Sequence, residues 1–169
     1  MKWTAKNIAL CAVLAALALG LSTLAGLFPI SLLVSLPGVK LGLANIVTVF
    51  ALYQLGAGAA LAILLTRCLL GGLFAGNLSA MLFSVLGGLT AMLVMIFLRR
   101  LPKLSVYGVS IGGAAAHNIG QMAAAVITLG STMVLGYLPF LLAVSLFTGA
   151  LTGFITALLL RATRHIRFH

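Results

Sequence analysis

Residues 79–98 read SAMLFSVLGGLTAMLVMIFL, and Arg99 and Arg100 follow them directly. The stretch contains no charged side chain and has about the length that an α-helix needs to cross the hydrocarbon core of a bilayer. Its apolar residues do not alternate with polar ones, as they would in a strand of a membrane barrel. The stretch therefore predicts a transmembrane helix that ends at a pair of arginines.

The rest of the chain has the same character. Of its 169 residues, 63% are hydrophobic and 6% are charged, whereas a soluble domain carries about 25% charged residues. A bilayer accepts such a chain when its backbone polar groups are paired within helices. We therefore predict an all-α integral membrane protein rather than a soluble enzyme, with a six-transmembrane-helix bundle forming a single domain over residues 1–169.

Six spans can be placed between short connections that contain Gly and Pro. The second and third are short for a bilayer, so one or both are expected to be tilted, broken or surrounded by protein. The first span is longer than the apolar core of a signal peptide and is interpreted as a retained anchor. The predicted spans are residues 5–27, 41–55, 57–75, 79–98, 105–130 and 136–160.

The cations predict the orientation of these spans. With the N-terminus inside, only Lys40 lies outside and Arg67 within a span, in agreement with the positive-inside rule. An even number of spans with both termini cytoplasmic is therefore favoured. The eight cations then placed inside are Lys2, Lys6, Arg99, Arg100, Lys103, Arg161, Arg164 and Arg167.

The chain contains no Asp or Glu, which excludes several kinds of chemistry. Carboxylate-held magnesium, two-carboxylate glycosidase chemistry and Ser-His-Asp relays all need a residue type that is absent. The net charge of +10 indicates topology and contact with anionic headgroups, and no basic stripe with stacking aromatics predicts nucleic-acid binding. Cys11 and Cys68 lack metal-ligand spacing. We expect no enzymatic activity, cofactor or metal site.

Arg67 lies near the middle of the third predicted span, where a charge costs at least about 2.5 kcal/mol. Because the chain has no carboxylate side chain, the guanidinium must meet carbonyls, amides, water, a lipid phosphate or a bound anion. Its five fixed donors suit a carboxylate or phosphate. An anion-binding role and a structural arginine that snorkels along its helix both remain open.

Other polar residues also lie in or near the membrane. His117, Asn118 and Gln121 are spaced three and four apart in the fifth span, so that all three can line one side of the helix. Lys40 lies at the outer mouth of the second span, Asn45 lies deeper in that span, and Asn77 lies in the turn after the third span. In the predicted orientation these side chains fall in the outer half or near the midplane. The predicted substrate-binding residues are Lys40, Asn45, Arg67, Asn77, His117, Asn118 and Gln121.

Small residues recur at helical spacing in two spans. In the first span they mark one face, which is either packed within the bundle or a docking surface for another membrane protein. In the last span, Gly149 and Gly153 form a GxxxG that we expect to pack within the bundle. The face of the first span consists of Ala5, Ala9, Ala12, Ala16, Gly20 and Thr23.

Four stretches carry a resemblance to a known family: PGVKLGLANIV at 37–47, Arg67 followed by GGLFAG at 71–76, SIGGA at 110–114 and HNIGQ at 117–121. With these motifs the chain resembles the bacterial Gx transporter family, which is also labelled heptaprenyl diphosphate synthase component I. That family is similar to the S components of energy-coupling factor transporters. The resemblance covers nearly the whole chain.

The resemblance implies an S-component-like fold in the bacterial cell (inner or plasma) membrane, and uptake of a substrate from outside. It also implies that the Ala-rich first helix docks on a membrane coupling protein driven by two ATPase subunits. The chain has no GxxxxGK[ST] motif, so any ATP hydrolysis must come from partners. The synthase label conflicts with the missing carboxylates, because prenyl diphosphate synthesis needs Asp-rich magnesium sites.

The leading hypothesis is thus a membrane-embedded substrate-binding subunit for a small anionic, vitamin-like or prenyl- or quinone-related compound. A stand-alone secondary transporter is a second hypothesis, with His117 as a possible proton carrier. A third is a non-transporting accessory protein that holds a lipid or quinone for an enzyme. The sequence leaves the substrate, the energy source and the oligomeric state open.

Overall fold

The computed structural model describes residues 4–27 and 43–165, which contain six α-helices and no strand. Each helix begins and ends within two residues of a predicted span, so the predicted all-α fold with six helices is confirmed. A 3₁₀ helix, Thr132–Tyr137, precedes the last of them. The helices are α1 (Ala5–Leu27), α2 (Leu43–Gln54), α3 (Ala57–Phe74), α4 (Leu78–Arg99), α5 (Val106–Leu129) and α6 (Leu138–Ala162).

The helices differ in how well they fit a bilayer. By length and composition, α1, α3, α4 and the segment Thr132–Ala162 that contains α6 could each cross a membrane. Helix α5 has 24 residues, but the His117–Gln121 segment makes it more polar. Helix α2 has 12 residues and is therefore about 18 Å long, short of the roughly 30 Å hydrocarbon core.

Local chemistry explains several helix ends. The side chain of Asn77 accepts a hydrogen bond from the backbone N–H of Ala80, 2.9 Å away, and so caps the start of α4. Ser105 caps α5 in the same way through Gly108. Gly130 ends α5 in the left-handed conformation, with φ of 64°, which residues with a side chain rarely adopt. These caps satisfy backbone groups that the helix itself leaves unpaired.

Five helices form a closed ring, and the sixth packs outside it. Around the ring, α2 contacts α3, α3 contacts α4, α4 contacts α5, α5 contacts α6, and α6 returns to α2. Helix α1 packs against α2 and α3 from outside. It buries Cys11, Ala15 and Ala18 in this contact. Helix α2 is therefore enclosed by neighbours, which explains how a short helix is retained.

Glycines set the closest helix contact between α5 and α6. A Cβ atom at Gly149 would lie 2.6 Å from Cα of Ile111, and one at Gly153 would lie 2.9 Å from Cα of Tyr107. Any side chain at either position would push the two backbones apart. The expectation that this GxxxG packs within the bundle is confirmed.

Polar contacts fasten the end of α2 to its neighbours. The guanidinium of Arg99, at the end of α4, donates to the carbonyl oxygens of Leu52 and Tyr53 and lies 5.0 Å from the centroid of the Tyr53 ring. Gln54 Nε2 donates to Thr163 Oγ1 over 3.1 Å. The C-terminal ends of α2, α4 and α6 therefore lie at the same end of the bundle.

Candidate functional site

Arg67 in α3 meets Asn45 in α2. Its Nη2 atom donates a hydrogen bond of 3.1 Å to Asn45 Oδ1. Its Nε atom is buried and has no hydrogen-bond partner among the described residues. A buried donor without a partner costs about 1–3 kcal/mol, and more when the group is charged. The guanidinium is therefore held by one neutral amide and keeps donor capacity for a further acceptor.

The depth of this pair follows from the helix geometry. Arg67 lies ten residues after the start of α3, or about 15 Å along the axis, and seven residues before its end at Phe74. The C-terminal end of α2 is fixed by Arg99 at one end of the bundle, so Asn45, in its first turn, lies well inside. The N-terminal end of a helix carries a partial positive charge. Two positive groups thus meet inside the apolar bundle.

The Gly87–Gly88 pair of α4 lies between this site and α5. On the α3 side, a Cβ atom at Gly88 would lie 2.9 Å from Cδ1 of Leu64, one turn before Arg67. The thiol of Cys68, next to Arg67, donates to the carbonyl oxygen of Ser84, 3.4 Å away. Residues 84–88 of α4 are therefore the neighbours of α3 at the level of Arg67.

His117 and Gln121 lie together on the other side of the glycine pair. A Cβ atom at Gly87 would lie 2.9 Å from Gln121 Cγ and 3.0 Å from His117 Cε1. Gly120 faces α4 as well, where its Cβ atom would lie 2.6 Å from the carbonyl oxygen of Leu86. Gly120, three residues after His117, therefore allows close approach of the α4 backbone. His117 and Gln121 share the level of Gly87, which is among the residues of α4 that lie at the level of Arg67.

The side chain of Asn118 points in a different direction from those of His117 and Gln121. Its Nδ2 atom donates to the carbonyl oxygen of Leu141 in α6, over 2.7 Å. The expectation that all three residues line one side of the helix is wrong in this respect, because a step of one residue turns the side chain about 100° around the axis. The amide of Asn118 ties α5 to α6, while His117 and Gln121 face α4.

The remaining predicted site residues are separate from this group. Asn77 is exposed and its side chain caps α4. Lys40 lies outside the described residues. Thr48, one turn after Asn45, is buried, and its hydroxyl donates to the carbonyl oxygen of Ala44 within its own helix. The structure thus brings Asn45 and Arg67 into direct contact, and places His117 and Gln121 on the far side of the glycine pair.

Two polar residues with interhelical roles were not singled out from the sequence. The sequence around Arg99 indicates only a cytoplasmic charge, whereas its guanidinium donates to carbonyl oxygens of α2. Thr90 Oγ1 lies 3.0 Å from the carbonyl oxygen of Ala116 and joins α4 to α5. A threonine two residues after a glycine pair in an apolar span was a signal for this contact, because small residues bring helices close enough for interhelical hydrogen bonds.

The fold and the site define a class of protein. The described residues form an apolar helical bundle in which a half-buried arginine donates to a neutral amide. No group of three or more His, Cys, Asp or Glu side chains among them could hold a metal ion. The protein is therefore a multi-span helical membrane protein with a polar intramembrane site.

A comparison with protein families identifies it further. The model of the family described as heptaprenyl diphosphate synthase component I matches residues 14–159. The chain therefore belongs to this family, and the resemblance inferred from its motifs is confirmed. Searches of curated proteins and of solved structures found no match.

Proposed function

We propose that this protein is the membrane-embedded substrate-binding subunit of an uptake transporter, and that Arg67 binds an anionic group of the substrate. The observation that carries the proposal is the guanidinium of Arg67, which is half-buried inside the bundle and hydrogen-bonded in the described chain only to the neutral Asn45. An intramembrane charge usually pairs with another charge. Here no Asp or Glu can supply one.

The surroundings of Arg67 favour an anion over a neutral ligand. The guanidinium and the N-terminal end of α2 both present positive potential, and the low dielectric of the bundle strengthens it. A carboxylate or phosphate oxygen would also supply the acceptor that the guanidinium lacks. His117 and Gln121, at a similar level on the other side of Gly87, are proposed to contact polar groups elsewhere on the substrate.

The face of α1 that points away from the bundle is suited to docking of a partner protein. The predicted docking residues Ala5, Ala9, Ala12 and Ala16 are all exposed, whereas Cys11, Ala15 and Ala18 of the same helix are buried. A smooth alanine face allows another helix to approach closely. We propose that this face docks on a membrane coupling protein with two ATPase subunits, which would supply the energy for uptake.

The decisive experiment measures anion binding to variants of Arg67. Purified protein is screened by thermal unfolding against small carboxylates and phosphates, and the affinity of the anion that stabilises it most is then determined. Arg67→Ala should lower that affinity about ten- to a hundredfold, the equivalent of one hydrogen bond to a charged group. Arg67→Lys should lower it less, because an ammonium retains the charge and loses the planar fork.

The control variant is Lys6→Ala, which removes one positive charge at an exposed position of α1 and should bind the anion as the wild type does. Normal anion binding by Arg67→Ala, combined with a lowered unfolding temperature, would show that Arg67 is a structural arginine. The anion-binding proposal would then be wrong.

A second experiment separates a binding subunit from a stand-alone transporter. Purified protein alone in liposomes should bind the anion without accumulating it. Accumulation driven by a proton gradient, in the absence of any ATPase, would contradict the subunit proposal. A third outcome is stable co-purification with a prenyl diphosphate synthase and no transport, whether or not ATPase partners are present. It would favour an accessory role in prenyl metabolism.

A further inference from the structure

A group of exposed cations lies at one end of the bundle, away from Arg67. They occupy the turn between α4 and α5 and the end of α6, two segments that are distant in sequence. Arg99 and Thr163 both hydrogen-bond to the C-terminal part of α2, which brings the two segments to the same end. We call this group the cationic patch, consisting of Arg100, Lys103, Arg161 and Arg164.

The packing of α5 on α6 brings the two halves of the cationic patch to a similar level. Gly153 packs against Tyr107 in the first turn of α5. Helix α6 then continues for nine more residues, to Ala162, a distance of about 13 Å along its axis. Its last two turns therefore extend beyond the start of α5, to the level of the turn at residues 100–105.

The charges of the patch are not compensated by the described residues. The chain contains no Asp or Glu, and none of the four side chains makes a hydrogen bond or ion pair with another described residue. Arg99, one residue earlier, differs because its guanidinium donates to carbonyl oxygens of α2. The patch is therefore free to bind an anionic ligand.

Apolar side chains are interleaved with these cations. In the turn, Leu101 and Leu104 are 40% and 36% exposed, and they alternate with Arg100 and Lys103. Phe97, one turn before Leu101, is 64% exposed. An acidic soluble protein would leave these apolar groups without a fitting surface. A phospholipid supplies both a phosphate for the cations and acyl chains for the leucines and the phenylalanine.

We propose that the cationic patch is a binding site for an anionic phospholipid. The patch lies at the C-terminal ends of α4 and α6, two helices that could cross a membrane, so we expect it at the depth of the headgroups, where a lipid would reach it by lateral diffusion. Arginine guanidinium groups bind phosphate in a bidentate manner. Lys103 adds a fourth positive charge, and the exposed apolar side chains beside it would contact the acyl chains. This site is independent of the proposed function of Arg67.

The test is lipid retention by the purified, delipidated protein, measured by native mass spectrometry after addition of phosphatidylglycerol or phosphatidylcholine. The wild type should retain phosphatidylglycerol and retain phosphatidylcholine weakly. The double variant Arg100→Gln, Lys103→Gln should bind phosphatidylglycerol more weakly by about fivefold for each charge removed. Lys6→Gln is the control, because Lys6 is an exposed cation on α1, which packs against α2 and α3.

The remaining outcomes each contradict the proposal. Equal retention of the two lipids by the wild type would show that the charge of the headgroup is not recognised. Unchanged retention of phosphatidylglycerol by the double variant would show that the patch does not bind the lipid and has a different ligand, such as an acidic protein. Displacement of the lipid by glycerol 1-phosphate at equal concentration would show that the site binds a free phosphate. Thermal unfolding in neutral detergent checks that the double variant is folded.

Discussion

At the scale of single residues, the contact between Arg67 and Asn45 is the main departure from ordinary membrane-protein chemistry. A cation inside the bundle is held by a neutral amide oxygen at 3.1 Å, with a buried Nε atom that has no partner in the described chain. An intramembrane arginine with a purely structural role would be expected to have a compensating carboxylate nearby. The incomplete pairing is therefore expected at a functional site.

This argument predicts the effect of Asn45→Asp. The new carboxylate would lie at hydrogen-bond distance from the guanidinium and supply the missing counter-charge. We expect the unfolding temperature of the ligand-free protein to rise and its affinity for the stabilising anion to fall at least tenfold, because the carboxylate competes for the same donors. Thermal unfolding with and without the anion measures both effects.

The matched control is Asn77→Asp. It adds the same charge at an exposed position, and Asp retains the acceptor that caps α4. Its anion affinity should match that of the wild type. An Asn45→Asp variant that still bound the anion with unchanged affinity would place the anion elsewhere.

At the scale of helices, α1 has two faces of small residues with different roles. One face packs on α2 and α3 through Cys11, Ala15 and Ala18. The other is exposed and includes Ala9 and Ala12. Packing within the bundle does not require small residues at these exposed positions. We therefore infer that the alanines allow close contact with a partner protein.

Ala9→Leu or Ala12→Leu should therefore disrupt the complex with the proposed coupling protein and leave the isolated protein folded. A leucine would hold the partner helix away from α1. Co-purification measures the complex, and thermal unfolding measures the fold. Ala123→Leu is the control, because Ala123 is exposed on α5 and should tolerate the same change. Retention of the complex by both α1 variants would exclude this face as the docking surface.

The contact between α4 and α5 gives a prediction about stability. Gly120→Ala places a Cβ atom against Thr90 and the carbonyl oxygen of Leu86, so the helices must separate. We expect destabilisation of about 1–3 kcal/mol, as for other overpacked contacts. Thermal unfolding in detergent measures it.

Gly58→Ala is the control for this substitution, because a Cβ atom there meets nothing within 4 Å. It should be neutral or stabilise α3 slightly, because alanine favours helix formation. If Gly120→Ala proved as stable as Gly58→Ala, the close approach of α4 to α5 would be wrong.

At the scale of the whole molecule, the ring of α2 to α6 explains how an apolar chain accommodates a helix too short to span. Helix α2 contacts α1, α3 and α6, so protein rather than lipid surrounds it. Arg99 and Gln54 fix its C-terminal end. Its N-terminal end, with Asn45, is thereby held inside the bundle beside Arg67.

The orientation of the bundle in the membrane is the prediction at this scale. Single cysteines in a background without Cys11 and Cys68 are labelled with a membrane-impermeant reagent in intact cells. Cysteines at Gly38, Asn77 and Ser131 should react from outside. Cysteines at Lys103 and His169 should react only after the cells are opened. Labelling of position 103 in intact cells would show that the topology is the opposite of the predicted one. The site around Arg67 would then open to the cytoplasm.

The sequence by itself determined the helices, because a bilayer admits only long apolar segments whose backbone bonds are satisfied internally. Runs such as residues 79–98, interrupted by Gly, Pro and charge, were enough to place all six. The importance of Arg67 also followed from sequence, since a charge in an apolar span has a high cost wherever the neighbouring helices lie.

Only the tertiary structure decided which side chains meet. The sequence could not show that Asn45 holds Arg67, that Asn118 binds α6 while His117 and Gln121 face α4, or that Arg99 fastens α2. The physical reason is that these contacts depend on the rotation of each helix about its axis and on its neighbours. In a chain that is apolar on nearly every side, hydrophobic periodicity fixes neither.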